Sequence, residues 1–289
     1  MRDARPAYLV DVGLIVVGFV IAGLYSSPAF AQVDFSGEWS QKYFEDQQER
    51  VPGGELGDYT GMPLNDAARL RADSWDAALY GLTEWQCRPH AATYMWRSVH
   101  PVRIWKDVEP ITGELIAIHA NFQDVLDRVV YMDGRPHPPE EAPHMWAGFS
   151  TGAWEGDMLT VTTTHLKEYI IRRNGVPTSD KATMKEHWIR HGDYLTIVQL
   201  VSDPVYLTEP FIQSTDFVLD PHIKDAPELC EVEEETDHPK GWVPHRLPGT
   251  AHDAEEFSKK HGVPVEAARG GAETMYPDYR AKLPKAKPQ

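Results

Sequence analysis

The chain has 289 residues, with 28 Lys and Arg against 44 Asp and Glu and a formal net charge of −16 at pH 7. So acidic a balance argues against a nucleic-acid partner or an anionic membrane surface, since both are bound through basic patches. The length suits one large domain or two small ones, and no Gly/Ser-rich linker divides it, so a single domain is expected.

Residues 1–31 read as a signal peptide. Arg2 and Arg5 begin it, Val12–Leu24 is an apolar run too short for the ~20 residues that span a bilayer, and Ala29-Phe30-Ala31 fits an A-x-A cleavage site. Cleavage before Gln32 leaves about 258 residues, and because Asp3 and Asp11 offset the two arginines the mature chain keeps its charge. The expectation is a periplasmic or secreted protein with no stable membrane insertion after cleavage. In that oxidising compartment the only cysteines, Cys87 and Cys230, are expected to form one disulfide.

The mature chain opens with Val33–Ser40, an extended stretch centred on Gly37-x-Trp39. It resembles the G-x-W that begins the first strand of lipocalins, where the Trp closes the base of a barrel. Residues 45–62 are charged and Gly-rich and read as loop. A helix follows near 66–80: Asn65 caps it, Ala68, Ala72, Trp75 and Leu79 share one face, and Gly81 ends it. From Thr93 to Leu219 short strands succeed one another: Tyr94–Ile104 broken at His100-Pro101, Glu114–Phe122, Leu126–Met132, and Phe211–Leu219. Two clear hairpins lie among them, Trp154–Val161 and Ile189–Ile197, each turning on Gly-Asp. With strands at this spacing and no alternating long helices, the pattern predicts a mostly β fold. An antiparallel lipocalin-like (calycin-type) barrel, or a strongly curved meander with peripheral helices, fits it best. The barrel domain should cover 32–240, and 241–289 a helical extension packed on the barrel. In that extension Thr250 caps a helix to His261, Pro264 starts a second to Arg269, and Lys282–Gln289 frays.

Tyr131–His165 carries the densest polar and aromatic chemistry. Asp133-Gly134 is a turn, and Pro136, Pro138, Pro139 and Pro143 forbid ladder pairing, so 133–146 must be an ordered loop. Arg135 suits a carboxylate or oxyanion clamp; His137 exchanges protons near neutral pH. His165, His119, Glu186 and Asp133 complete the catalytic candidates. Glu186 shares a strand face with Met184, Trp188 and Arg190, and a structural Glu186–Arg190 pair is the alternative to a working acid or base. Trp146, Trp154 and Trp188, with Asn121 and His144, are the ligand-binding candidates: the loop is expected to cover one barrel mouth, over a pocket walled by the three indoles. The alternative is that the aromatics fill the barrel and leave no cavity.

Thirteen histidines invite a metal, yet no H-E-x-x-H, H-x-H or C-x-x-C occurs, and no metal or other cofactor is expected. Phe149-Ser150-Thr151 is not read as a nucleophile elbow. The reading is a small-molecule-binding barrel performing cofactor-free acid/base chemistry, as a lyase, isomerase or hydrolase, on an amphipathic or aromatic compound. A non-catalytic carrier is the first alternative and a His-ligated metalloenzyme the second.

Asp133-Gly-Arg-Pro-His-Pro138, the Gly148–Asp157 stretch ending in Trp-Glu-Gly-Asp, the Asp203-Pro204 step and Glu186 resemble the signature of a large family of secreted bacterial proteins of unassigned activity, abundant in soil organisms. The resemblance spans roughly residues 34–221. It implies a shared fold, secretion and a site near the D-G-R-P-H-P loop, and no particular reaction. Relatives often carry His or Tyr where Phe149 stands, and the tail after Pro239 marks a subgroup.

Overall fold

The structure, a computed structural model, describes residues 33–42, 54–97, 100–122, 126–223, 230–233, 239, 241–247, 250 and 253–283. Contacts divide the chain into Met1–Val33 and Asp34–Gln289, and the fold below is that of the second unit.

Nine strands close a barrel: β1 (Gly37–Gln41), β2 (Val102–Val108), β3 (Leu115–Phe122), β4 (Leu126–Tyr131), β5 (Phe149–Glu155), β6 (Met158–Thr164), β9 (Thr183–His191), β10 (Tyr194–Ser202) and β11 (Phe211–Leu219). They run β1-β11-β10-β9-β6-β5-β4-β3-β2 around it. Between β6 and β9 a separate hairpin, β7 (Tyr169–Arg172) and β8 (Val176–Thr178), stands outside the sheet. Both predicted Gly-Asp turns form: Glu155 pairs Met158 and His191 pairs Tyr194, with Gly156 and Gly192 at φ of 63° and 60°, the left-handed region that two-residue hairpins need.

Every neighbouring pair is antiparallel except β4–β5, where Val130 faces Ser150 and Tyr131 faces Thr151 in parallel. The four prolines explain this pair. They keep 133–146 from folding back as a strand, so the chain returns to its starting end as a loop, the long crossover that a parallel pair requires.

Alternation sets the lining. β10 buries Leu195, Ile197, Gln199 and Val201 and turns the residues between them outward. One end is closed by aromatics: Trp39 donates its indole N–H to Phe35 O at 2.8 Å, and Phe35 stacks on Trp154 and meets Trp188 edge-on, each at 5.8 Å. Burial of each such ring stabilises by about 1.5–3 kcal/mol.

Of the stretch Tyr94–Ile104, expected as strand with a break at His100-Pro101, the part after the break is strand, in β2, and the part before it is not. Ala91–Arg97 enters the barrel and ends in a 3₁₀ turn over Met95–Arg97. Met95 is fully buried and Trp96 nearly so, with Trp188 at 5.4 Å and Phe217 at 5.9 Å from the Trp96 ring, so this segment fills the lumen. Polar contacts in the lumen, described below, outweigh the strand tendency of the sequence.

The predicted helix is shorter than its apolar face. α1 (Asp66–Asp73) is capped by Asn65, whose Oδ1 accepts from Ala68 N at 3.0 Å. It ends because the Ser74 hydroxyl turns back to Arg71 O and Asp76 accepts from Ala78 N, capping a separate 3₁₀ turn over Ala77–Gly81. Another short helix, α2 (Thr83–Gln86), leads into Cys87, which is disulfide-bonded to Cys230. The C-terminal extension forms α3 (Asp253–His261), α4 (Val265–Ala268) and, not anticipated, α5 (Pro277–Lys282). It docks on the 54–64 segment and α1: Tyr59 N donates to Ala268 O, Gly271 N to Met62 O, and Arg269 pairs with Asp73 at 2.8 Å. No helix among the described residues is long and apolar enough to cross a membrane.

Candidate functional site

The Pro-rich loop lies against the ends of β5 and β6 and is tied there by histidines. His137 Nε2 is 2.9 Å from Thr151 Oγ1 and its Nδ1 is 2.7 Å from Thr164 Oγ1; Thr164 Oγ1 is in turn 2.7 Å from His165 Nδ1, and His165 Nε2 is 2.8 Å from Pro139 O. The final carbonyl can only accept, so His165 donates from Nε2, and with each ring carrying a single proton the remaining donors follow. Thr164 donates to His165, His137 donates from Nδ1 to Thr164, and Thr151 donates to His137 Nε2. Burial and the neighbouring His165 hold the His137 pKa below its ordinary value. His144 bonds Leu166 O at 2.8 Å, with its ring 5.4 Å from that of His165. His165 adopts φ +56°, a conformation unusual outside glycine, at the corner where the loop is pinned.

Asp133 and Arg135 answer mainly to each other. Arg135 Nε is 2.9 Å from Asp133 Oδ1, and the guanidinium lies 3.8 Å over the Tyr131 ring. The hydrogen bond from Arg135 lowers the Asp133 pKa.

Glu186 is inside the barrel and fully buried, and its partner is Arg128 on β4 rather than Arg190. Arg128 Nη1 donates to Glu186 Oε1 at 2.9 Å and Nη2 to Oε2, forming a two-point pair across the lumen. The remaining Arg128 donors reach Thr163 Oγ1 at 2.8 Å and Ser150 Oγ at 3.2 Å, and the Trp96 indole N–H donates to Glu186 as well. Nearby, Arg97 donates to Gln213, Gln213 to Gln199, and Gln199 to Ala92 O, so the inserted segment supplies partners to the polar lining. Arg190 lies four residues beyond Glu186, at the barrel end, over Trp39 and bonded to Gly192 O at 2.7 Å. The letters Gly148-x-Ser150-x-Gly152 do fit a nucleophile elbow. Ser150, however, sits within β5 with its hydroxyl 2.8 Å from Thr163 Oγ1, not on a strand-to-helix turn.

His119 faces outward, stacked on Trp105 at 4.8 Å and 3.3 Å from Asp127; Asn121 is buried two positions on. The three indoles do not wall one pocket. Trp188 is within the barrel, Trp154 closes its end against Phe35, and Trp146 lies outside against Tyr169 at 5.6 Å. The described geometry thus distributes His137, Arg135 and Glu186 over three environments. Among the described residues no three His, Cys, Asp or Glu side chains group as metal ligands.

A pocket of about 280 Å³ lies elsewhere, outside the barrel, lined by Arg71, Trp75, Trp85, Arg88, Glu168 and Tyr169 together with Ile170, Gly175 and Pro177. Three elements build it. α1 carries Arg71 in its last turn and is followed by Trp75; α2 presents Trp85 and is followed by Arg88; the β7–β8 hairpin gives Tyr169 and the Gly175 turn. Gly175, at φ +90°, is required here, because a Cβ would sit 2.2 Å from Trp75 Cβ. Trp75, Tyr80 and Trp85 meet edge-on at 5.7–6.4 Å. Beneath them His90 Nδ1 is 3.0 Å from the Tyr169 hydroxyl. Burial, then Arg173 and His100, push the His90 pKa down to about 4, so it is neutral at physiological pH; burial raises that of Tyr169 far above its ordinary value. Arg88 lies 4.1 Å over Trp85 and 6.0 Å from Trp146, and Arg71 is 3.2 Å from Glu168.

Trp85, Arg88 and Tyr169 were not singled out from the sequence, and Trp75 was read only as part of a helix face. The strongest available signal was Trp85 and Arg88 flanking Cys87, a position that a disulfide fixes.

No family model, curated protein or solved structure matches the chain.

Proposed function

We propose that this is a periplasmic or secreted, lipocalin-like small-molecule-binding protein whose ligand docks in the aromatic pocket outside the barrel. The ligand is an amphipathic or aromatic organic compound. One observation carries this reading: the lumen, where a barrel of this size would hold a ligand, is occupied by Met95 and Trp96, whereas Trp75, Trp85 and Tyr169 wall an open space of about 280 Å³. That volume is near the lower end of ligand clefts, about 300 Å³, and suits one or two rings. Binding is favoured over turnover because His137 and His165, which pin the Pro-rich loop, have both ring nitrogens bonded, and Glu186 is held by Arg128 and Trp96. Secretion is supported by the Val12–Leu24 run, the Ala29-Phe30-Ala31 site and the disulfide.

The test is a screen of one- and two-ring aromatic compounds by tryptophan fluorescence on the wild type and on Trp85→Ala. The expected result is binding that weakens about tenfold or more in the variant, since loss of a stacked indole removes over 1 kcal/mol. No binding by the wild type contradicts the reading, and binding untouched by the substitution moves the site elsewhere.

A further inference from the structure

We infer that the pocket selects an anionic aromatic compound, a planar ring system bearing a carboxylate, and that Arg88 is the residue that recognises the charge; this rests on the binding reading above. The inference starts from the charge balance of the lining. Two guanidiniums, Arg71 and Arg88, face one carboxylate, Glu168, and Glu168 is the partner of Arg71 at 3.2 Å. Arg88 has no such partner: among the described residues no carboxylate lies within ion-pair distance of it. Its Nε is spent on Glu84 O at 2.5 Å, and the face of the guanidinium is spent on Trp85, which leaves the terminal nitrogens as donors at the pocket. A guanidinium stacked on an indole is held in one plane, so a fork of donors is already oriented and little entropy is lost when a carboxylate takes it.

The surroundings reinforce the sign. Lys167 Nζ is 4.8 Å from the Trp146 ring that also neighbours Arg88, and the Arg173 guanidinium is 6.0 Å from Tyr80, so cations ring the aromatic cluster of a chain whose net charge is −16. Burial, Arg173 and His100 keep His90 neutral behind the Tyr169 hydroxyl, so no cation or anion backs that wall residue there. Among the described residues the opposing charges on the adjoining elements are Glu168, Glu84 on α2 and, on the segment tethered by Cys230, the exposed Glu231 and Glu233; the last is held through its backbone to Gln86. Exposed carboxylates are screened by water and salt, whereas a charge-assisted contact against the aromatic wall of a pocket is screened much less.

The experiment compares two isosteric probes, 2-naphthoate and 2-naphthamide, by calorimetry on the full chain with its disulfide intact. The wild type is expected to bind the carboxylate about tenfold or more tighter than the amide, the usual worth of a hydrogen bond to a charged group. Arg88→Gln is expected to reduce that preference below about threefold, and Arg88→Lys to retain part of it. Melting curves of each variant confirm folding. If the wild type binds both probes equally, anion selection is wrong while the pocket stands. A preference that survives Arg88→Gln assigns the charge to another group and overturns the role of Arg88. If neither probe binds, both this inference and the binding reading fall. The wild-type comparison decides the question even should Arg88→Gln not fold.

Discussion

Arg128 is sealed in the lumen with no exposed atom surface to speak of, and each of its donor nitrogens is matched to Glu186, Thr163 or Ser150. Removing one charge of such a pair leaves the other stranded. Glu186→Gln is therefore expected to cost about 3–5 kcal/mol in urea unfolding, and Arg128→Met with Glu186→Leu together distinctly less than either single change, because the double variant leaves no uncompensated ion. Equal additive losses would show that the two residues are not coupled. The inward direction of both was legible: Arg128 alternates with Leu126 and Val130, and Glu186 with Met184 and Trp188. Their meeting was not, since β4 and β9 are separated by β5 and β6 in the barrel order and face one another only across a closed lumen.

At the level of elements, the Pro-rich loop and the disulfide each fix a segment that the sheet does not. The loop hangs on the Thr151–His137–Thr164–His165–Pro139 chain. The folded-state pKa of His137 lies below its unfolded value of about 6.5, so the unfolded chain binds more protons near that pH. Stability from this group is complete above pH 6.5 and is lost as pH falls through the folded pKa. The melting temperature is expected to drop between pH 7.5 and 5, with a shallower drop in Thr164→Val, which lacks the central hydroxyl. A slope unchanged by that substitution would detach the loop from the titration. The loop's stiffness could be read from its prolines; its partners could not, because Thr151 and Thr164 look like any outward strand residues.

The Cys87–Cys230 bond, correctly expected from composition, spans 143 positions, and Cys87 stands between the pocket residues Trp85 and Arg88. Replacing both cysteines by Ser should cost about 4–5 kcal/mol in chemical unfolding, the entropy of so long a closed loop. It should also weaken aromatic ligands by loosening that wall. An unchanged affinity in the folded double variant would show that the wall is held by packing alone.

For the molecule as a whole, the barrel with its peripheral helices was visible in strand spacing and Gly-Asp turns, while the use of its lumen was not. Tyr94–Ile104 carries residues suited to a strand, and only the need to satisfy Glu186, Gln199 and Gln213 in a closed lumen shows why Ala91–Arg97 goes inside instead. The indoles that were expected to form one site consequently serve three places, and the pocket arises where α1, α2 and β7–β8 meet beyond the sheet. Indole N–H signals read this division directly. Titration of isotope-labelled protein with 2-naphthoate, each indole assigned by a Trp→Phe variant, is predicted to shift the Trp75 and Trp85 resonances while those of Trp96 and Trp188 stay fixed. Movement of Trp96 and Trp188 with Trp75 and Trp85 unchanged would place the ligand in the barrel and contradict the account.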